Sequence, residues 1–168
     1  YTINKSVDYI SKADILIIGG GAVDDSLEAE MSALPTAVYS TYGMTETLSH
    51  IALRRLNGPD ASTLYYPFPS VRLSLSPEHT LIIDAPLVCD TILVTNDVAE
   101  INSDGSFSIL GRKDNTINTG GIKVQAEQVE DILRPWIHVP FAITSVSDAA
   151  LGEAVVLLIE NGGYTERL

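Results

Sequence analysis

The run Ile15-Leu16-Ile17-Ile18 is short, continuous and apolar, the pattern of a strand buried on both faces of a sheet. Gly19-Gly20-Gly21 ends it, and Asp24-Asp25-Ser26 supplies side chains suited to capping a helix. Leu27, Met31 and Leu34 then recur on one helical face until Pro35 stops the pattern. Residues 36–39 return to a buried-strand composition, so residues 1–56 read as an α/β layer.

From Asn57 the punctuation changes. Pro59, Pro67, Pro69, Pro77 and Pro86 separate β-rich pieces at residues 71–75, 81–84, 91–94 and 98–102, which predicts a small antiparallel sheet or barrel. Ser103-Asp104-Gly105-Ser106 suits a hairpin turn because Asp-Gly tolerates positive φ, and residues 107–110 return from it as a strand. Residues 111–123, dense in Gly, Asn and Thr, read as a loop-rich junction. Val129, Ile132, Leu133 and Trp136 follow at helical spacing, a stripe expected in the core, and the helix is expected to end near prolines 135 and 140. Strands at 141–146 and 154–159 flank a turn carrying Asp148, Gly152 and Glu153. The pattern predicts a mixed α/β chain: an α/β layer (1–56), a β-rich subdomain (57–111) and a small α+β part (112–168), with the boundary near residues 111–114.

Charge narrows the functions. The 10 Lys and Arg against 22 Asp and Glu give a net charge of −12, which disfavours nucleic acid and anionic membrane surfaces as partners. No apolar run approaches the roughly 18–20 residues of a membrane span. Cys89 is the single cysteine, which excludes an internal disulfide, fits a reducing compartment and leads to an expected cytoplasmic location. It reads as a small buried hydrophobe rather than a nucleophile. The chain opens at Tyr1 with methionines only at 31 and 44, so it is expected to derive from a longer translation product.

Three segments carry candidate chemistry. Gly19-Gly20-Gly21-Ala22 follows a strand and precedes a helix, so it either lets a ligand approach the backbone or is simply a tight turn. Ser40-Thr41-Tyr42-Gly43-Met44-Thr45-Glu46-Thr47 follows the second strand, at the carboxyl edge where open sheets bind ligands. It offers an aromatic face, a hydroxyl for phosphate and a hard oxygen for Mg²⁺; the plainer reading is a helix cap with Thr45 or Thr47 as N-cap. The run Gly111-Arg112-Lys113-Asp114, continuing to Gly120-Gly121-Ile122-Lys123, is either a phosphate- or ribose-binding loop, with Arg112 as a forked donor, or a solvated linker.

Taken together, these segments resemble one family. Tyr42-Gly43-Met44-Thr45-Glu46 is similar to the Tyr-Gly-x-Thr-Glu signature of the adenylate-forming enzymes: acyl-CoA synthetases, peptide-synthetase adenylation domains and luciferases. Thr95-Asn96-Asp97, Asp104-Gly105 and Gly111-Arg112-Lys113-Asp114 resemble that family's Thr-Gly-Asp, Asp-Gly and Gly-Arg-x-Asp succession. Gly120-Gly121-Ile122-Lys123-Val124 with Glu127-Gln128-Val129-Glu130 is similar to the stretch opening its small C-terminal domain. The resemblance implies that residues 1–111 end the large AMP-binding domain and that residues 112–168 begin a mobile C-terminal domain. Within the family, the short stretch between Glu46 and Asp97 and the run Thr45 to His50 resemble the o-succinylbenzoate–CoA ligase branch of menaquinone synthesis.

In that family an acid and MgATP form an acyl-adenylate, which the thiol of coenzyme A then attacks. The resemblance implies that Ser40, Thr41 and Tyr42 line the adenine and α-phosphate pocket beside Gly43, with Tyr42 stacking. Gly21 and Ala22 would border acyl group and adenine. Thr45 would contact phosphate, Glu46 would hold Mg²⁺, Asp97 would accept from the ribose hydroxyls and Arg112 would reach ribose or phosphate. Thr45, Glu46 and Arg112 form the implied catalytic set, Asp114 the hinge, and Gly120 and Gly121 a loop on the CoA side. Ser49, His50 and Arg54 are candidates for binding the second carboxylate of the acid, although His50 also reads as an ordinary histidine near a helix start. His79 and His138 read as surface or helix-end residues.

Two departures bear on activity. Asn96 stands where the family has glycine, a mild change. The family's phosphate loop would lie upstream of Tyr1 and its catalytic lysine beyond Leu168, so Lys123 is not that lysine and these 168 residues alone are expected to be inactive. The expected activity is therefore that of an ATP-dependent acid–CoA ligase, using ATP, Mg²⁺ and CoA, with homo-oligomerisation left open. The alternatives are another aryl- or acyl-CoA ligase, an enzyme loading a carrier protein, or a non-catalytic nucleotide-binding or interaction module.

Overall fold

The computed structural model describes residues 10, 12–21, 23 and 25–160 and the backbone of 166–167. Ala22 and the capping candidate Asp24 lie outside the described residues. The chain divides into two compact units, one of Tyr1–Ser74, Ile82–Val94 and Ile101–Ser108, the other of Leu75–Leu81, Thr95–Glu100 and Ile109–Leu168.

In the first unit, β1 (Ile15–Ile18) runs into helix α1 (Asp25–Ser32) and then β2 (Ala37–Gly43), which lies parallel to β1. Strands β3 (His50–Arg55) and β4 (Tyr66–Pro67) add antiparallel neighbours, giving the order β1-β2-β3-β4. The predicted helical face forms the core: Met31, Val38 and Leu56 are buried, with Leu16, Ile18, Leu27 and Leu34 against them. β1 departs from the expectation of two buried faces. Among the described residues it lies at the end of the sheet, its Ile15 and Ile17 are 59% and 50% exposed, and only Leu16 and Ile18 of this strand join the core. β2 also outruns its predicted end. Ser40, Thr41 and Tyr42 pair with Arg54, Leu53 and Ala52 of β3, so the segment expected beyond the strand is part of its ladder. His50 correspondingly opens a strand rather than a helix.

Asn57, noted above only for a change in composition, pins this layer. Its side chain is buried; Oδ1 accepts the Val38 N–H at 3.0 Å, and Nδ2 faces the carbonyls of Met31, Leu34 and Thr36 at 2.9–3.2 Å. It satisfies the carbonyls left open where α1 stops and the chain turns into β2.

Strands β5 (Arg72–Leu75), β6 (Thr80–Asp84), β7 (Leu93–Ile101) and β8 (Phe107–Arg112) form a four-stranded sheet in chain order, and its residues are divided between the two units. β7 is continuous where two pieces were expected, because Thr95, Asp97 and Ala99 alternate inward as a strand requires. Cys89 is half-buried, not fully, with its thiol 3.3 Å from the Thr91 carbonyl.

The second unit holds β9 (Thr116–Thr119), β10 (Ile122–Gln125), α2 (Ala126–Leu133), β11 (Phe141–Asp148), β12 (Gly152–Ile159) and β13 (Glu166–Arg167). The sheet order is β10-β9-β12-β11, with β13 also on β12. Ile117, Ala126 and Ile143 are its buried centre, packed by Val124, Val129, Leu133, Val155 and Leu157. The expected loop-rich junction is largely ordered: a 3₁₀ turn at Lys113–Asn115 leads into the β9–β10 hairpin, which turns on Gly120 (φ 58°) and Gly121 (φ 87°). The expected stripe holds only in part. Val129 and Leu133 pack; Ile132, still within α2, is 70% exposed, and Trp136 is 80% exposed because α2 stops at Leu133 and Trp136 lies beyond it. Among the described residues no helix is long and apolar enough to cross a membrane.

Candidate functional site

In the first unit the site is built on β2. Ser40 is fully buried and its Oγ lies 3.0 Å from the Tyr65 hydroxyl. The half-buried Tyr42 ring meets Phe107 edge-on at 5.4 Å between centroids and lies 6.0 Å from Tyr65, itself stacked on Phe107 at 5.6 Å. Two neighbouring aromatic rings thus fix the plane of Tyr42. Thr41 faces the end of β1, where a Cβ on Gly19 would come within 2.7 Å of its Oγ1. Gly21 is exposed with open space around it. Gly43 is required by close approach: a Cβ there would lie 2.5 Å from the Ser49 carbonyl and 2.7 Å from the His50 Cα.

The chain then makes a 3₁₀ turn at Thr45–Thr47. Thr47 is buried; its Oγ1 accepts the Met44 N–H at 3.1 Å and lies 2.9 and 2.6 Å from the carbonyls of Met44 and Ser49. Thr47 therefore does the local structural work, and the side chains of Thr45 and Glu46 are left exposed. The helix-cap alternative is replaced by a turn. Among the described residues no three His, Cys, Asp or Glu side chains are arranged to hold a metal by themselves. A single exposed carboxylate such as Glu46 nevertheless suits Mg²⁺, which binds through one or two carboxylates with nucleotide phosphates and water.

The three candidates for an acyl carboxylate are differently occupied. Ser49 Oγ and His50 Nδ1 lie 3.2 Å apart on the exposed surface, with the His50 ring 6.1 Å from Phe68. Arg54 is largely buried and donates from Nη2 to Glu28 of α1 at 2.9 Å, its guanidinium 5.8 Å over Tyr65.

In the second unit Asp97 and Arg112 come together. Arg112 Nη1 donates to Asp97 Oδ1 at 3.1 Å; the Asp97 side chain is 12% exposed and that of Arg112 53%. The Asp97 N–H is fixed on Thr95 Oγ1 at 3.1 Å. Asp114 lies 3.9 Å from Arg112 and accepts from Asn96 Nδ2 at 3.3 Å, so the asparagine that replaces a glycine contacts the expected hinge residue. Lys113 pairs with Glu78 at 2.7 Å. Gly120 and Gly121 are exposed, and Glu130 ties α2 to β11 by accepting the Ile143 N–H at 2.7 Å. An inward carboxylate beside a half-exposed guanidinium presents a paired acceptor and a forked donor side by side, a set matched to vicinal hydroxyls and phosphate.

Three glutamates of this unit are held below the usual carboxylate range. Hydrogen bonding and attraction from Lys113 lower Glu78; the Asn118 amide and Ser145 hydroxyl lower Glu153. For Glu127 burial pushes upward, but donors from Asn115, Gln125, its own amide and Arg112 outweigh it. A carboxyl lowered by folding stabilises the fold above its unfolded value, near 4.5, and that contribution is lost as pH falls through the lower folded value. The melting temperature of the second unit is therefore expected to hold from neutral pH to about 5 and to fall below it. Replacing both Glu127 and Glu153 by Gln should flatten that acid slope in calorimetry, and an unchanged slope would contradict the assignment.

No family model matches the chain. It is 23% identical to a 2-succinylbenzoate–CoA ligase of Lactococcus lactis over 92% of this chain, and 26% identical to a 4-chlorobenzoate–CoA ligase of an Arthrobacter species over 89%. The chain spans 38% and 34% of the lengths of these curated relatives. Among solved structures, an acyl-CoA synthetase (AMP-forming)/AMP-acid ligase II-like protein of Dyadobacter fermentans is 36% identical with a TM-score of 0.59, over 89% of this chain and 44% of that one. Over 89–92% of its length the chain is similar to acyl-CoA synthetases and acid–CoA ligases.

Proposed function

We propose that this chain is the adenylate-handling portion of an ATP-dependent acid–CoA ligase acting on o-succinylbenzoate, with residues 1–111 in its large domain, the hinge at residues 112–114, and 112–168 in its mobile small domain. The observation that carries the nucleotide reading is the inward Asp97 carboxylate held 3.1 Å from the Arg112 guanidinium. The Tyr42 ring, backed by Phe107 and Tyr65, stacks on adenine in this reading. Asp97 accepts from the ribose hydroxyls, Arg112 donates to ribose or phosphate oxygen, and the exposed Thr45 hydroxyl donates to phosphate. Glu46 would hold Mg²⁺, which neutralises phosphate charge when bound. The acid's carboxylate oxygen attacks the α-phosphorus and pyrophosphate leaves; the CoA thiolate then attacks the acyl carbon and AMP leaves. Gly120 and Gly121 are assigned to the CoA side, and Gly21 to the acyl edge.

The succinylbenzoate relative supports the choice of acid, as do Ser49 and His50, whose exposed polar atoms can receive a second carboxylate. Arg54 contributes less to that pocket than its sequence position promised, since Glu28 already neutralises it. The test is a polypeptide of the relatives' full length carrying this chain, assayed for pyrophosphate release and thioester formation against a panel of aromatic acids. Turnover of o-succinylbenzoate is expected. Turnover of a different acid in its place overturns the substrate, and no adenylation of any acid overturns the ligase. The 168 residues alone are expected to release no pyrophosphate.

A further inference from the structure

The main chain at Arg112 is gripped from two sides by the side chains of Gln125 and Glu127. Its N–H donates to Glu127 Oε1 at 3.2 Å, and its carbonyl accepts from Gln125 Nε2 at 2.7 Å. The two gripping groups are joined to each other, Gln125 Nε2 donating to Glu127 Oε2 at 2.6 Å. Each also holds the following turn: Asn115 Nδ2 donates to Glu127 Oε1 at 2.6 Å, and Thr116 Oγ1 to Gln125 Oε1 at 2.8 Å. Gly111 completes the fit. Its φ is 147°, and a Cβ there would lie 2.5 Å from Gln125 Nε2 and overlap the Glu127 carboxylate. Where β8 ends, its last residue thus exchanges ladder partners for a side-chain clasp built at the start of α2.

We propose that Gln125 and Glu127 are positioning residues that act through the Arg112 backbone, fixing where its guanidinium is presented to an anionic ligand. This rests on the nucleotide-binding role given to Arg112 above. A long side chain such as arginine, with three methylenes before its guanidinium, aims its fork only as well as its Cα is held, and half of this one stands in solvent, where packing offers little restraint. The clasp supplies the restraint that the exposed surface does not.

The test uses the 168-residue chain with Glu127→Ala, Glu127→Gln and Gln125→Ala, reading amide hydrogen exchange at Arg112 and AMP affinity by calorimetry. Glu127→Ala is expected to speed exchange at Arg112 about tenfold or more, with β11 and β12 amides unchanged, and to weaken AMP about 3- to 10-fold. Glu127→Gln, which keeps one acceptor, should fall between Ala and the parent, and Gln125→Ala should act in the same direction. Unchanged exchange at Arg112 overturns the clasp. Faster exchange with undiminished AMP affinity overturns its positioning role. If the unsubstituted chain binds no AMP, the nucleotide reading itself fails, and that is seen before any variant is made.

Discussion

Phe107→Ala is expected to destabilise the first unit by about 3–5 kcal/mol, the range for removing a buried phenyl ring. Phe107 is fully buried, stacked on Tyr65 and met edge-on by Tyr42. Its backbone exchanges both hydrogen bonds with Tyr65, at 2.8 and 2.9 Å, and these survive the substitution. The strand geometry therefore persists and the lost ring leaves a cavity that the backbone cannot close, which places the cost at the upper part of the large-to-small range. Phe107→Leu, which keeps most of the volume, should cost less than about 1.5 kcal/mol. Urea denaturation followed by tyrosine fluorescence reads both. The same cavity removes the backing of Tyr42, so AMP affinity should fall with Phe107→Ala beyond what partial unfolding explains. A cost below about 1 kcal/mol for alanine would mean that the three rings do not form a unit.

What could be read from the chain divides by range. The apolar run of β1, the face of Leu27, Met31 and Leu34, and the Asp104-Gly105 turn depend on neighbours a few residues away, and the fold holds each of them. The extension of β2 through Tyr42 depends on β3, whose register no local pattern announces. Trp136 looked like core because its spacing continues the helical stripe; the helix ends first, and spacing carries no meaning past its last turn. The site follows the same rule. Tyr42, Asp97 and Arg112 stand in recognisable strings, whereas the contacts that support them cannot be read there: Tyr65 reaches Ser40 across 25 positions, and Glu127, itself in a recognisable string, reaches the Arg112 amide across 15. Asn57 is the extreme case, since four of its side-chain partners are main-chain groups scattered over residues 31 to 38 and main chain leaves no trace in composition.

Asp97→Ala separates binding from folding. The Asp97–Arg112 pair is half solvated on the arginine side, so its loss should change stability by less than about 1 kcal/mol, and the Thr95 contact to the Asp97 amide does not involve the carboxylate. Binding is another matter. A carboxylate accepting from two hydroxyls makes charge-assisted bonds worth about 1.5–3 kcal/mol, and the Arg112 guanidinium without Asp97 keeps, among the described residues, only Asp114, 3.9 Å away, and is free to turn toward ligand phosphate. AMP affinity should therefore drop about 10- to 100-fold, each tenfold being about 1.4 kcal/mol. Adenosine decides which atom is responsible. If Asp97 serves the ribose, adenosine and AMP lose affinity by the same factor, and Asp97→Asn, with one acceptor retained, loses less. If Asp97 serves only to aim Arg112 at phosphate, AMP is weakened while adenosine is not, and Arg112→Ala reproduces the whole effect.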